Sequence, residues 1–249
     1  MSHTLELALP PWPDVDHAAF GDIEKVPLSR IQKLGAGYLA RNWVTIPHVT
    51  HQDEADITEL ESVRKRLSEE SGVKVTLLPF LIKAVAAGLA RFPGFNASLD
   101  ADGQTLVLKK YFHVGFAADT PKGLIVPVLR DCERKSVVEL ANEIAMLSAK
   151  ARDKGLPMAD MVGGCMTVSS LGHIGGTSFT PIVNAPEVAI LGVMRAQWKP
   201  HREGEGMSWR LMLPLSLSYD HRVLNGADVA RFAAHLAQML AKPESFPLS

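Results

Sequence analysis

Two short segments carry the side chains most suited to chemistry. His221 stands in Ser218-Tyr219-Asp220-His221-Arg222-Val223-Leu224-Asn225-Gly226, between an apolar strand pattern at Leu211 to Ser218 and a final helical pattern. An imidazole titrates close to working pH, so at a strand exit it suits removal of a proton from a thiol. The same residue also suits a histidine that only bonds the Asn225-Gly226 turn, and spacing alone leaves both readings open. The second segment, Ser169-Ser170-Leu171-Gly172-His173-Ile174-Gly175-Gly176, follows a short apolar strand. Its hydroxyls and backbone donors could hold a phosphate or a developing oxyanion. Taken alone it reads better as a tight loop that needs glycine freedom. No lysine-bearing phosphate loop is present, and no Gly-x-Ser-x-Gly elbow, which disfavours a serine hydrolase.

Other candidates are weaker. His48 and His51 are three apart in a strand-like run and point to opposite faces, so they make poor joint metal ligands. Cys132 and Cys165 have no partner at metal-ligand spacing, and Cys165 in its apolar strand suits a small core residue; no metal is expected. The charged run from Glu59 to Glu70 suits a solvated helix face.

The elements that would position these groups follow from periodicity and punctuation. Residues 1–28 are rich in Pro and Asp, including Leu9-Pro10-Pro11-Trp12-Pro13, and predict an extended arm lying on a surface, its own or that of a neighbouring chain. Ser29 is a candidate cap for a helix through Ile31, Leu34, Tyr38 and Leu39; Trp43, Thr45, Pro47 and Val49 then alternate like a strand to about His51. Thr58 with Glu61 predicts a capping box opening a helix that Gly72 ends, and Pro79 suits the first turn of a buried helix reaching Phe92-Pro93. Short strands are predicted around Ala97 to Leu99, Leu106 to Leu108, Tyr111 to Ala118 and Leu124 to Leu129, with a hairpin turn at Asp102-Gly103. Ser136 with Glu139 opens a helix to about Lys154-Gly155. Strands near Cys165 to Ser169, Glu187 to Val193 and Trp209 to Ser218 precede a last helix from about Gly226 to Leu240. Interleaved helices and strands with hairpin signals predict an α/β, or α+β, mixed sheet flanked by helices.

Composition bounds the class. At 249 residues, with 47% hydrophobic and 21% charged residues, the chain can bury a substantial core. A net charge of -1 argues against a broad grip on nucleic acid. Two cysteines allow at most one disulfide, and no apolar run reaches membrane-spanning length. No signal peptide is evident. The expectation is a cytoplasmic protein with no nucleic-acid or membrane partner.

The joint pattern is more specific than its parts. Arg30-Ile31-Gln32-Lys33, Arg41-Asn42-Trp43-Val44-Thr45-Ile46-Pro47-His48-Val49-Thr50, Phe95-Asn96-Ala97-Ser98-Leu99, Asp119-Thr120-Pro121-Lys122-Gly123-Leu124, Thr167-Val168-Ser169-Ser170-Leu171-Gly172, Ile182-Val183-Asn184-Ala185-Pro186-Glu187 and the His221 segment together resemble the catalytic domain of dihydrolipoamide acyltransferases, the core components of 2-oxo-acid dehydrogenase complexes. The resemblance covers nearly the whole chain. Trp12-Pro13-x-Val15-Asp16 and Phe20-Gly21-x-Ile23-Glu24 look like the acetyl-transferring, pyruvate dehydrogenase branch of bacterial type.

The resemblance implies a chloramphenicol acetyltransferase-like fold, assembled as trimers, with the active site in a channel between two subunits. Coenzyme A and the lipoyl group would enter as substrates from opposite ends. It matches His221 to the general base and Ser169, reached from the adjacent subunit, to the oxyanion donor. Asn225 joins them as a catalytic-site residue, and Asp119, Phe179, Asn184 and Leu191 are implied to line the channel near the lipoyl arm. Most relatives carry His-x-x-x-Asp-Gly, whereas this chain has Asn225, as some acetyl-transferring members do. An Asn hydrogen-bonds but carries no charge, so His221 must be oriented without a carboxylate there.

The expected domains are an arm at 1–28 and a catalytic domain at 29–249. No lipoyl domain, lipoylation site or subunit-binding domain is recognised, which reads as an excised core or a natural lipoyl-less chain. Expected partners are two further copies in a homotrimer, lipoyl domains and the other dehydrogenase components, with a cube of eight trimers, 24 subunits, as the further assembly. Relatives end in an apolar pair that docks into the next trimer. Here the tail is Lys242-Pro243-Glu244-Ser245-Phe246-Pro247-Leu248-Ser249, which leaves cube assembly open and offers Phe246 or Leu248 as the knob. Two rivals remain: an assembly scaffold with little catalysis, and an acyltransferase for another acyl group or small molecule, such as one of chloramphenicol type.

Overall fold

The structure, a computed structural model, describes residues 11–121 and 123–248. The first ten residues of the predicted arm, Lys122 of the Asp119 to Leu124 segment and the terminal Ser249 lie outside the described residues.

The described part of the arm is exposed and irregular apart from a 3-10 turn at His17–Phe20, which Asp16 caps. Helix α1 spans Arg30–Thr45 behind a full capping box, with Ser29 accepting from the Gln32 backbone and Gln32 reaching back to Ser29. Trp43 and Thr45, predicted as strand, are its last turn. The helix runs until Pro47 disfavours an α conformation at Ile46. Strand β1 is His48–Asp56. Helix α2 is Thr58–Ser71, ended by Gly72 in the left-handed region. The predicted Thr58–Glu61 box is absent. The Thr58 hydroxyl donates to Asp56 and accepts from the Leu211 N–H, while the Arg64 guanidinium takes Glu61. Helix α3, Leu77–Arg91, is buried along most of its length and carries Pro79 in its first turn.

Strands β2 (Ala97–Leu99) and β3 (Leu106–Leu108) form the predicted hairpin. Strands β4 (Val114–Phe116) and β5 (Val128–Leu129) are shorter than predicted, since Pro127 cannot donate to a ladder. Helix α4, Val137–Asp153, opens on the predicted Ser136–Glu139 box. Strands β6 (Met166–Ser170), β7 (Ala189–Val193), β8 (Gln197–Glu203) and β9 (Gly206–Asp220) precede helix α5, Gly226–Leu240. Sequence reading missed β8, whose Pro200 argues against a strand. It is tolerated because β8 pairs with β9 alone, at an edge.

Seven strands make one mixed sheet in the order β1-β9-β7-β6-β4-β5, with β8 beside β9; β4, β6 and β7 run parallel and the other pairs antiparallel. Helices α3, α4 and α5 enclose the main core with the apolar face of this sheet. The opposite face is lined with polar side chains: the Thr50 and Ser218 hydroxyls pair at 2.7 Å, and Ser216 donates to Gln52 at 2.6 Å. Helix α1 buries only Asn42 and leaves Leu34, Tyr38, Leu39 and Trp43 exposed.

The tail folds back on its own chain. Phe246 is buried, edge-on to Phe80, and the Pro247 and Leu248 carbonyls accept from the Val137 and Val138 N–H groups at the start of α4. Phe246 is therefore part of this chain's own core and not a knob, while Leu248 remains half-buried.

Candidate active site

His221 follows the last residue of β9 and is exposed. Its N–H donates to the Pro47 carbonyl at 3.1 Å, and its ring lies 5.5 Å from that of Tyr219. Its ring makes no hydrogen bond to another described residue. Asn225 does not hold it: the Asn225 side chain accepts from the Asp228 N–H and donates to the Asp228 carboxylate, capping α5.

Ser169 lies near the end of β6, partly exposed, with its hydroxyl unbonded to any described residue. It pairs with Gly192 on β7, which pairs with Ser216 on β9. Two strand spacings across the sheet and five residues along β9 separate Ser169 from His221, roughly 20 Å at ordinary strand dimensions. One chain cannot bring them within the ~3 Å that proton transfer and oxyanion binding need.

The remaining predicted residues divide. Phe179 lies over Gly192, where an added Cβ would come within 2.7 Å of its ring, so it shares the Ser169 face. Asn184 reaches the Thr167 hydroxyl on that same face, at 3.4 Å. Leu191 is not brought to them. It pairs with Val168 and is buried in the main core, on the opposite face of the sheet. Asp119 is exposed in the loop after β4.

The glycine-rich turn is not a phosphate cradle. The Ile174 and Gly175 N–H groups are spent on the Leu171 carbonyl, and Arg195 grips the Gly172 and His173 carbonyls. Gly172 lies against the Met194 backbone, where a Cβ would meet the carbonyl oxygen at 3.0 Å. His48 is also structural: its Nδ1 meets the Ile46 carbonyl at 2.8 Å and its Nε2 accepts from the Val183 N–H at 3.0 Å. Among the described residues no group of three or more His, Cys, Asp or Glu could hold a metal ion, and no helix is long and apolar enough to cross a membrane.

Sequence reading missed one group beside the site. Glu187, which it used only as part of a family segment, is buried just before β7. Thr167 donates to its Oε2 at 2.7 Å and Asn184 to its Oε1 at 3.4 Å. Burial pushes the carboxyl up to about 7, partly offset by those hydrogen bonds and by the Lys109 charge. The available signal was a lone acid abutting the apolar run Val188 to Leu191.

From its ordinary value near 4.5 up to about 7, the native chain keeps the Glu187 proton that the unfolded chain loses. Stability therefore falls as pH rises through that interval. Glu187→Gln cannot ionise, so its stability relative to the parent should rise from pH 5 to pH 8, by at most about 3 kcal/mol. Denaturation at the two pH values measures this; a constant difference rejects it.

The chain matches the family model described as 2-oxoacid dehydrogenases acyltransferase (catalytic domain) over residues 20–248. It is 56% identical over 239 residues to the dihydrolipoyllysine-residue acetyltransferase component of the pyruvate dehydrogenase complex of Cupriavidus necator, covering 95% of this chain and 43% of that one. The chain thus spans under half the length of that relative. Dihydrolipoamide acetyltransferase of Azotobacter vinelandii, studied for the roles of a serine, a histidine and an asparagine in its catalytic mechanism, superposes with a TM-score of 0.92 at 55% identity, covering 95% of this chain and 99% of that one. The cubic core of the pyruvate dehydrogenase multienzyme complex gives the same TM-score, identity and coverage. Chloramphenicol acetyltransferase, at 15% identity and a TM-score of 0.54, covering 81% of this chain and 94% of that one, shares the fold, as the sequence implied.

Proposed function

The chain belongs to the 2-oxoacid dehydrogenase acyltransferase (catalytic domain) family, and on that footing we propose that it moves an acetyl group between dihydrolipoamide and coenzyme A. Residues 29–249 form the catalytic domain and 1–28 an arm. The observation that carries the reading is the placement of Ser169 on β6 and of His221 just past the end of β9, two strand spacings apart and at opposite ends of one sheet. In the Azotobacter protein the serine, histidine and asparagine of the mechanism stand at the same separations along the chain as Ser169, His221 and Asn225 here.

The two groups meet when His221 of one copy faces Ser169 of the next, and the proposed working unit is a homotrimer. The exposed apolar side of α1 and the exposed Trp12 and Phe20 of the arm suit burial by neighbouring copies. His221 accepts the thiol proton of coenzyme A. The thiolate attacks the acetyl thioester on the lipoyl arm, and the Ser169 hydroxyl donates to the tetrahedral oxyanion. Collapse expels the lipoyl thiolate, which takes the proton back from His221. Phe179 and Asn184 flank Ser169 and line the lipoyl end, with Asp119 at its exposed mouth. Asn225 contributes by capping α5 and so closing the turn that begins at His221.

Lipoyl domains and the other pyruvate dehydrogenase components are the proposed partners, trimers assemble further into a 24-subunit cube, and the compartment is the cytoplasm. The test is transfer from acetyl-coenzyme A to free dihydrolipoamide, followed as thiol release, with light scattering on the same sample. Acetyl transfer by an assembly of three or more chains is expected. A folded assembly that transfers nothing would be a scaffold, and transfer to chloramphenicol but not to dihydrolipoamide would reassign the substrate.

A further inference from the structure

The Asn225 carboxamide is committed to α5, so another group must orient the imidazole. The geometry points to Asp220 as the positioning residue of His221, acting through Arg222; this rests on the base role proposed above. The Asp220 carboxylate is buried at the end of β9 and bonds past His221 to Arg222. Its Oδ1 accepts from the Arg222 N–H at 3.0 Å and Nε at 2.9 Å, and its Oδ2 accepts from Nη2 at 2.6 Å and Nε at 3.2 Å.

The Asp220 backbone is held as tightly as its side chain. Its N–H donates to the Val188 carbonyl at 2.9 Å, and its carbonyl accepts from the Val223 and Leu224 N–H groups, each at 3.0 Å. With His221 N–H on the Pro47 carbonyl, the backbone on both sides of the imidazole is fixed, and the ring lies 5.5 Å from that of Tyr219. Burying a carboxylate is costly, and a two-pronged guanidinium contact offsets that cost only while its geometry is kept. The 44%-exposed Arg222 side chain covers the 4%-exposed Asp220 side chain from the solvent side. The pair thus spans the residue whose direction matters, and turns a flexible strand exit into a fixed one.

The test pairs kinetics with structure. Asp220→Asn keeps an acceptor for the Arg222 N–H but loses the charged fork. It should lower kcat about 10- to 100-fold, the scale of a base displaced by an ångström. The KM values for coenzyme A and dihydrolipoamide should stay within about twofold, because a residue that acts only through the base leaves ground-state binding unchanged. Arg222→Lys, which keeps the charge without the fork, should fall between the parent and Arg222→Gln. In a crystal structure of Asp220→Asn, the His221 ring should leave Tyr219. Should Asp220→Asn not fold, the half-exposed Arg222→Gln carries the same measurements. Unchanged kcat, or a rise confined to KM, overturns the positioning role. A parent protein that transfers no acetyl group overturns the proposed function instead, and the ring position in the variant crystals still judges the inference.

Discussion

His221→Ala is expected to lower acetyl exchange about 10²- to 10⁴-fold, the usual contribution of a positioned general base. The folded state should survive, because the ring is exposed and makes no hydrogen bond to another described residue. What holds the segment lies outside the imidazole: the His221 N–H on Pro47 and the carboxylate and carbonyl of Asp220. Alanine keeps all of these. The loss should sit in kcat and shrink toward high pH, where the free thiolate of coenzyme A becomes abundant without a base. Thiol-release kinetics across pH 6 to 10 on an assembly of unchanged mass measures both. Full exchange by the variant at pH 7 would remove His221 from the mechanism.

Ser169→Ala is expected to cost roughly 2.7–4 kcal/mol of transition-state stabilisation, or about 10²- to 10³-fold in kcat. KM should change little, since the hydroxyl is asked to bind the oxyanion and not the ground-state carbonyl. Folding should again be unaffected, as that hydroxyl holds no other described group. The separation of roughly 20 Å within a chain adds a sharper consequence. Chains bearing His221→Ala and chains bearing Ser169→Ala are each nearly inactive alone. Refolded together they form mixed trimers, in which an intact Ser169 on one chain faces an intact His221 on another. Activity should reappear in the mixture. If it does not, and the mixed assembly is confirmed by mass, the two groups do not share a site between subunits.

Legibility of the fold followed the locality of the signal. The Ser29 cap, the Ser136–Glu139 box, the Gly72 stop and the final helix all depend on residues within one or two turns, and each was read correctly. Misreadings arose where a distant partner intervened. Thr58 gave up its capping role because Asp56 and the Leu211 N–H claimed its hydroxyl. The Pro200 strand exists because β9 offers it an edge. Phe246 looked like a surface knob until Phe80 was seen beneath it.

The sequence by itself determined the family and the mixed α/β class and singled out His221 and Ser169 as the residues now proposed for catalysis, because ordered motifs and hydrophobic periods are properties of the chain read in one direction. Only the tertiary structure decided what lies beside what. It set Ser169 and His221 two strand spacings apart at opposite ends of the sheet, sent Leu191 to the core face and buried the Asp220 carboxylate at the end of β9 beside His221. Strand order and the face a side chain takes depend on pairing between segments far apart in sequence, and no local pattern encodes that pairing.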